Sequence, residues 1–322
     1  MEYTYLGKTG LQVSRLCLGT MNFGPITPEA ESNKIMSKAL EEGINFFDTA
    51  NVYGRKKGRG VTENIIGKWL SKNKGNRDKI VLATKVYGEM GDGINDRRLS
   101  AYHIKKACED SLTRLKTDHI DLYQMHHVER NTPWDEIWQA MEQLITAGKV
   151  IYVGSSNFAG WDIATACETA SKKNLLGLVS EQSKYNLFNR FIEREVVPAC
   201  QYYGVGIIPW SPLEAGLLGG VIKSSKKNRR NTDEIINKLK ANYAQIEKWE
   251  KFCNKIGERP ADTALAWLLH QTAVTAPIIG PRTLEQLNNS FRAVEINLDD
   301  KMLKELDEIF PPAGIAPQYY SW

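Results

Sequence analysis

Short runs of bulky apolar residues recur along the chain, and each stops on a polar residue. The run at 44–47 stops at Asp48, 82–84 at Lys85, 120–125 at His126 and 178–181 at Gln182. Their length and bulk suit strands buried on both faces. Further strands are predicted at 15–18, 150–157, 205–210 and 274–280, with a hairpin at 3–13 around the GKTG turn. Between them lie stretches with apolar residues three and four apart, the mark of helices with one buried stripe. Ile104, Ala107, Cys108, Leu112 and Leu115 form such a stripe behind a Ser100 cap. The other helices fall at 28–42, 62–71, 133–147, 161–173, 192–203, 232–255, 260–270, 283–291 and 299–310. Pro209 would break a ladder bond, so it belongs at a strand's end.

The polar ends Asp48, Lys85, His126, Ser155, Gln182 and Trp210 follow at intervals of 27 to 41 residues. Each interval admits one strand and one crossover helix. The predicted fold is therefore α/β, a single (β/α)8 TIM barrel over residues 1–322, with the hairpin in front and extra helices before strand 8 and near the C-terminus. In such a barrel, chemistry sits at the carboxyl ends of the strands. The basic loop KSSKKNRRN after Trp210 is longer than a barrel step needs and is expected to cover something.

Composition narrows the function. With 322 residues and 42% hydrophobic content the chain can bury a large core. A net charge of +4, from 42 basic and 38 acidic residues, argues against nucleic acid or an anionic membrane as partner. No apolar run nears the ~18 residues of a membrane span, and the start lacks a signal-peptide pattern, so a cytoplasmic location is expected. The five cysteines are scattered without a CxxC, which fits buried free thiols. GKT lacks the upstream glycine of a phosphate loop. His126 and His127 are adjacent, so on a strand they would face opposite ways, and no third ligand stands out; no metal is expected.

Asp48, Tyr53, Lys85 and His126 lie at three successive strand-to-helix junctions, which share one face of a barrel. A phenol with the usual pKa near ~10 is a sluggish acid at neutral pH. A lysine cation beside it lowers that pKa, and an aspartate balances the lysine in a dry site. The histidine can hydrogen-bond the substrate oxygen and hold or relay the proton. This set describes a proton donor for a carbonyl oxygen. The carbon needs a hydride, which no side chain provides, so a nicotinamide cofactor is implied.

With those residues in place, the chain resembles the aldo-keto reductases over nearly its whole length. The matching segments are LGKTGLQVSRLCLGTMNFG, GINFFDTANVYG, ATK, DLYQMHHVE, VIYVGSSNF, EQSKYN, PWSPLEAGLLGG and IIGPRTLEQL. The resemblance implies a barrel that binds NADPH, less often NADH, without a GxGxxG motif, and none is present here. It places the family's tetrad on Asp48, Tyr53, Lys85 and His126. It further implies that Gly19, Thr20 and Met21 line the cofactor pocket with Asp48, and that Ser156, Asn157 and Gln182 hold the nicotinamide carboxamide. Trp210 would stack under the nicotinamide ring. Ser211, Pro212, Leu213, Gly216 and Leu217 would follow the pyrophosphate, with exposed backbone donors. Gly280, Arg282, Gln286 and Asn289 would meet the adenosine phosphate, with Arg282 and free backbone donors at a helix start favouring NADPH. Lys223, Lys226, Lys227, Arg229 and Arg230 would close over the phosphates. The partner is then a small-molecule carbonyl substrate, enclosed by Met21, Asn22, Phe23, Val52, Tyr87, His127, Asn157 and Tyr319 or Trp322. Family members occur as monomers, dimers and higher rings, which leaves a homo-oligomer open. The alternatives are a ketoreductase for sugar-like or steroid-like ketones, and a nucleotide-sensing protein resembling the β subunits of potassium channels.

Overall fold

The chain opens on an antiparallel hairpin, β1 (Tyr3–Tyr5) with β2 (Gln12–Ser14). The computed structural model describes residues 1–222 and 233–321. Eight parallel strands follow among these residues: β3 (Cys17–Gly19), β4 (Phe46–Asp48), β5 (Val81–Val86), β6 (Ile120–Met125), β7 (Val150–Ser156), β8 (Leu178–Gln182), β9 (Gly206–Ile207) and β10 (Ile278–Ile279). They pair in chain order, with β10 beside β3. The row also closes on itself, because Val274 bridges Ile207 and the Ile278 amide donates to the Pro209 carbonyl at 2.9 Å. The result is the predicted (β/α)8 barrel.

Strand alternation divides the core in two. On β5, Val81 and Ala83 join an inner cluster with Leu6, Val13, Cys17, Phe46 and Leu122, so the hairpin helps fill the barrel. Leu82 and Val86 belong instead to the outer cluster, which the helices cover. Those helices are α1 (Glu29–Glu41), α2 (Val61–Lys72), α3 (Ala101–Leu115), α4 (Trp134–Thr146), α5 (Gly160–Lys172) and α6 (Val196–Tyr203). They continue with α7 (Asp233–Ala241), α8 (Tyr243–Ile256), α9 (Pro260–His270), α10 (Leu284–Ser290), α11 (Asp300–Ile309) and α12 (Gln318–Ser321). α3 begins as its sequence suggests, with the Ser100 hydroxyl accepting from the His103 amide, and its apolar stripe is buried. No helix among the described residues is long and apolar enough to cross a membrane.

Several predicted boundaries move. The helix expected at 232–255 is two helices, because Asn242 leaves helical geometry (φ −126°, ψ 24°) and its side-chain amide donates to the Lys238 carbonyl. The helix expected at 192–203 starts at Val196, after a separate 3-10 turn at Phe191–Glu193. Strands 205–210 and 274–280 shorten to two residues each, with Pro209 outside the ladder. Arg15 is not in β3; its guanidinium donates instead to the carbonyls of Leu269, Val274 and Thr275. The five cysteines are buried and free.

Candidate active site

Asp48 is the last residue of β4, and Lys85 lies near the end of β5, so both reach the carboxyl end of the barrel. The Lys85 ammonium is fully buried and donates to Asp48 Oδ2 at 2.6 Å, to the Thr49 carbonyl at 2.8 Å and to the Tyr53 hydroxyl at 3.3 Å. Tyr53 sits on the tight loop after β4. Gly54 makes that turn feasible: at φ +156° a Cβ there would fall 1.6 Å from the Gly58 carbonyl oxygen. The His126 ring meets the Tyr53 ring edge-on with centroids 5.9 Å apart. All four predicted side chains thus meet at one place.

The electrostatics differ from the expectation in two ways. Burial pushes the Tyr53 phenol above its usual range; Lys85 pulls it down but does not win, and Asp48 adds to the rise. Burial, the Lys85 cation and His127 hold the His126 imidazole down at about 2. His126 is therefore neutral, able to donate an N–H but not to relay a proton as an imidazolium. The Lys85 pKa is raised: burial opposes this, and Asp48 with Tyr53 outweighs it.

Tyr53 and His126 open into a cleft of about 840 Å³. Gly19, Thr20, Met21, Asp48, Ser156, Asn157, Gln182, Trp210, Ser211, Pro212, Leu213, Gly216, Gly280, Arg282, Gln286 and Asn289 all line it. Leu217 does not; it is fully buried in the outer core. Of the substrate-side candidates, Met21, Asn22, His127 and Asn157 line the cleft. Phe23 is buried in the core, and Tyr319 stacks on the Arg194 guanidinium at 3.7 Å, away from the cleft. Val52 and Tyr87 are not among the lining residues, although Tyr87 packs edge-on against His127 at 5.2 Å. His126 and His127 lie just beyond β6 and their rings stack in parallel, 5.0 Å apart, so strand alternation does not separate them. Lys223, Lys226, Lys227, Arg229, Arg230 and Trp322 lie outside the described residues.

Several of the backbone donors expected to be exposed are engaged. The amides of Glu214, Ala215, Gly216 and Leu217 bond back to Ser211, Leu213 and Glu214 within their own turn. At the start of α10, the amides of Arg282, Leu284 and Gln286 are taken by Gln286, Glu31 and Thr283. The Arg282 guanidinium has no ion-pair partner among the described residues.

A nicotinamide dinucleotide suits this cleft on two observations. Tyr53 and Arg282 both line the cleft, and Asn22 Oδ1, buried beside Gly280, has no hydrogen-bond partner. The sequence profile of the aldo/keto reductase family matches residues 15–310. The chain belongs to the aldo/keto reductase family. It is 53% identical to "Uncharacterized oxidoreductase YrpG" of Bacillus subtilis over the full length of both chains. It is 33% identical to versiconal hemiacetal acetate reductase of Aspergillus parasiticus, over 98% of this chain and 99% of that one. It is 31% identical to a putative voltage-gated potassium channel subunit beta of Schizosaccharomyces pombe, over 99% and 96%. Membership supports carbonyl-reduction chemistry and an oxidoreductase role, and the family typically uses NADPH.

Sequence reasoning missed part of this candidate site. Gln124 lies on β6 in register with Lys85 and donates to Asp48 Oδ1 at 3.0 Å. Its signal was a polar residue two places after Leu122, on the inward face of an apolar strand. Arg259 lines the cleft beyond Trp210, held by Asp262 at 2.6 Å and by the Asn289 carbonyl at 2.8 Å. Only the folding of α9 against α10 brings it there.

Glu181 was read as the end of an apolar run, yet its carboxyl is fully buried. It accepts from the Ser155 and Ser183 hydroxyls and the Phe158 amide. Burial raises its pKa from 4.5 to about 7 despite these bonds. The folded state therefore favours the protonated acid. Nothing is lost below pH 4.5, and stability falls as pH rises to about 7, by about 3 kcal/mol in all. Glu181→Gln imitates the protonated acid, so its gain in melting temperature over wild type should be clearly larger at pH 8 than at pH 5. Thermal melts at the two pH values check this, and an equal gain at both would contradict it.

Proposed function

We propose that the protein reduces an aldehyde or ketone to the alcohol with NADPH, reversibly, using Tyr53 as the proton donor. The observation that carries this reading is the meeting of Asp48, Tyr53 and His126, with Lys85 buried behind them, at the wall of a cleft that Arg282 also lines. When bound, the cofactor supplies a hydride to the carbonyl carbon. Everything else falls to the chain. The neutral His126 donates an N–H to the carbonyl oxygen and orients it. Tyr53 gives its proton to the oxygen as negative charge develops there; an alkoxide is far more basic than a phenolate, so even a raised phenol pKa leaves the transfer downhill. Lys85 steadies the resulting phenolate, and Asp48 balances Lys85. Trp210 is held in place by its indole N–H, which donates to Asn157 Oδ1 at 3.0 Å, and it offers a flat wall for the nicotinamide.

Gln182 keeps only part of the role that the family suggests. Its amide nitrogen is taken by Asp48 and Gln124, so its oxygen is the atom left to accept from a carboxamide. Among the residues that line the cleft, Met21, Asn22, His126, His127 and Trp210 carry no positive charge in this state, and the nearby Lys85 cation is buried against Asp48. That favours uncharged carbonyl compounds with a planar or apolar body. Two relatives are named as reductases, versiconal hemiacetal acetate reductase and norsolorinic acid reductase, which supports carbonyl reduction as the reaction class. A panel of aldehydes, quinones, steroids and keto-sugars, followed at the NADPH absorbance band, tests the reading. Tight NADPH binding with no turnover across the panel would favour the alternative of a nucleotide-sensing protein; one relative is named a putative potassium channel subunit beta.

Arg282 is proposed to meet the 2′-phosphate that distinguishes NADPH from NADH. The guanidinium supplies the positive charge for this recognition, and it has no ion-pair partner among the described residues. Arg282→Ala should weaken NADPH at least ~10-fold while NADH affinity changes little. Binding titrations with both nucleotides check this. Equal losses for the two would move the phosphate contact elsewhere.

A further inference from the structure

Asp48 has two carboxylate oxygens with different duties. Oδ2 takes the Lys85 ammonium. Oδ1 takes two amide donors, Gln124 at 3.0 Å and Gln182 at 2.8 Å, and Gln182 also donates to Gln124 Oε1 at 3.2 Å. The three side chains form a closed triangle, buried at the top of the barrel and supplied by β4, β6 and β8. β7 passes between the last two, and it makes room. Its Gly154 pairs with Gln124, and a Cβ there would lie 3.1 Å from Gln124 Cγ and 2.4 Å from Ser180 Oγ. A side chain at position 154 would push Gln124 off its place.

We propose that Gln124 is a positioning residue: it fixes the Asp48 carboxylate toward Lys85 and, through Gln182, ties that carboxylate to the cofactor end of the cleft. This rests on the reading of Tyr53 as proton donor. An amide donor on Oδ1 draws off part of the carboxylate's charge and stops it from rotating. Tyr53 is faced by Lys85 from β5, Asp48 from β4, Cys17 from β3 and His126 from beyond β6. Among these, Asp48 is the full negative charge opposing phenolate formation. Removing the Gln124 donor leaves that charge less screened, so the phenolate becomes harder to form.

Alcohol oxidation reports this directly, because it needs Tyr53 deprotonated to accept the proton. In Gln124→Met, which keeps the length and loses the amide, the apparent pKa of the oxidation profile should rise by about one unit. At pH 7 oxidation should fall ~10-fold and approach wild type as pH is raised. A residue that only fills space would lower the rate equally at every pH. Gln124→Glu serves as the second variant. While protonated it donates to Asp48 as the amide does, and once ionised it repels Asp48, so its profile should gain an extra inactivating step with rising pH. NADP⁺ affinity, read by quenching of tryptophan fluorescence, should weaken several-fold in Gln124→Met, because Gln182 loses one of its two acceptors. Unmoved pKa values and unchanged NADP⁺ affinity in folded variants overturn the proposal. Should Tyr53→Phe leave oxidation intact, the proton-donor reading itself falls and takes this inference with it. An inactivating Tyr53→Phe beside a silent Gln124→Met sinks the inference alone.

Discussion

Tyr53→Phe should lower carbonyl reduction by ~10²- to 10⁴-fold while NADPH affinity stays within about twofold of wild type. The substitution removes one oxygen, and no other group nearby can replace its proton. His126 is held neutral with a pKa of about 2, so it holds no spare proton near pH 7. Lys85 is turned toward Asp48 and Thr49. Those two bonds remain after the change, so the lysine stays satisfied and the melting temperature should move little. The loss should therefore appear in kcat, because the interaction removed matters only as charge develops on the substrate oxygen. Steady-state rates, nucleotide titrations and a thermal melt on one preparation decide the matter. Parallel losses of turnover and NADPH binding would make Tyr53 a wall of the pocket and not its acid.

The barrel was legible because its strands are short, apolar on both faces and separated by helices with a clear stripe. β5 shows why: VLATKV alternates between inner and outer cores, and its one charge sits at the end that opens to the cleft. The four converging residues were legible for the same reason, since strand ends of a parallel barrel share a face whatever the details of packing. What the sequence hid depends on distance across the fold. Gln124 meets Asp48 across 76 residues of chain and Gln182 meets it across 134, so local periodicity carries no trace of the triangle they form. The charge states were hidden too. A lysine beside a tyrosine suggests a lowered phenol pKa, but the sign depends on burial, and only the closed barrel top shows that burial wins. The same holds for the backbone at 214–217, whose amides look free in a glycine-rich sequence and are spent within the turn.

Lys85→Met should be the most damaging single change, and in two separable ways. The ammonium and the Asp48 carboxylate are both buried, at 0% and 4% side-chain exposure. Removing the cation leaves Asp48 with two neutral amide donors and no counter-charge, at a cost of about 3–5 kcal/mol in stability. Tyr53 loses the cation 3.3 Å from its hydroxyl, the group that opposes its raised pKa, while burial and Asp48 continue to push upward. Reduction and oxidation should both fall by at least ~10³-fold. The two losses part company in the double variant Lys85→Met with Asp48→Asn. A neutral pair in place of the ion pair removes the stranded charge, so most of the stability should return. Activity should not, because the phenolate still lacks its cation. Urea unfolding curves and turnover measured on the single and double variants check both statements. Recovery of turnover together with stability would mean that the ion pair holds the fold and that Tyr53 works without it.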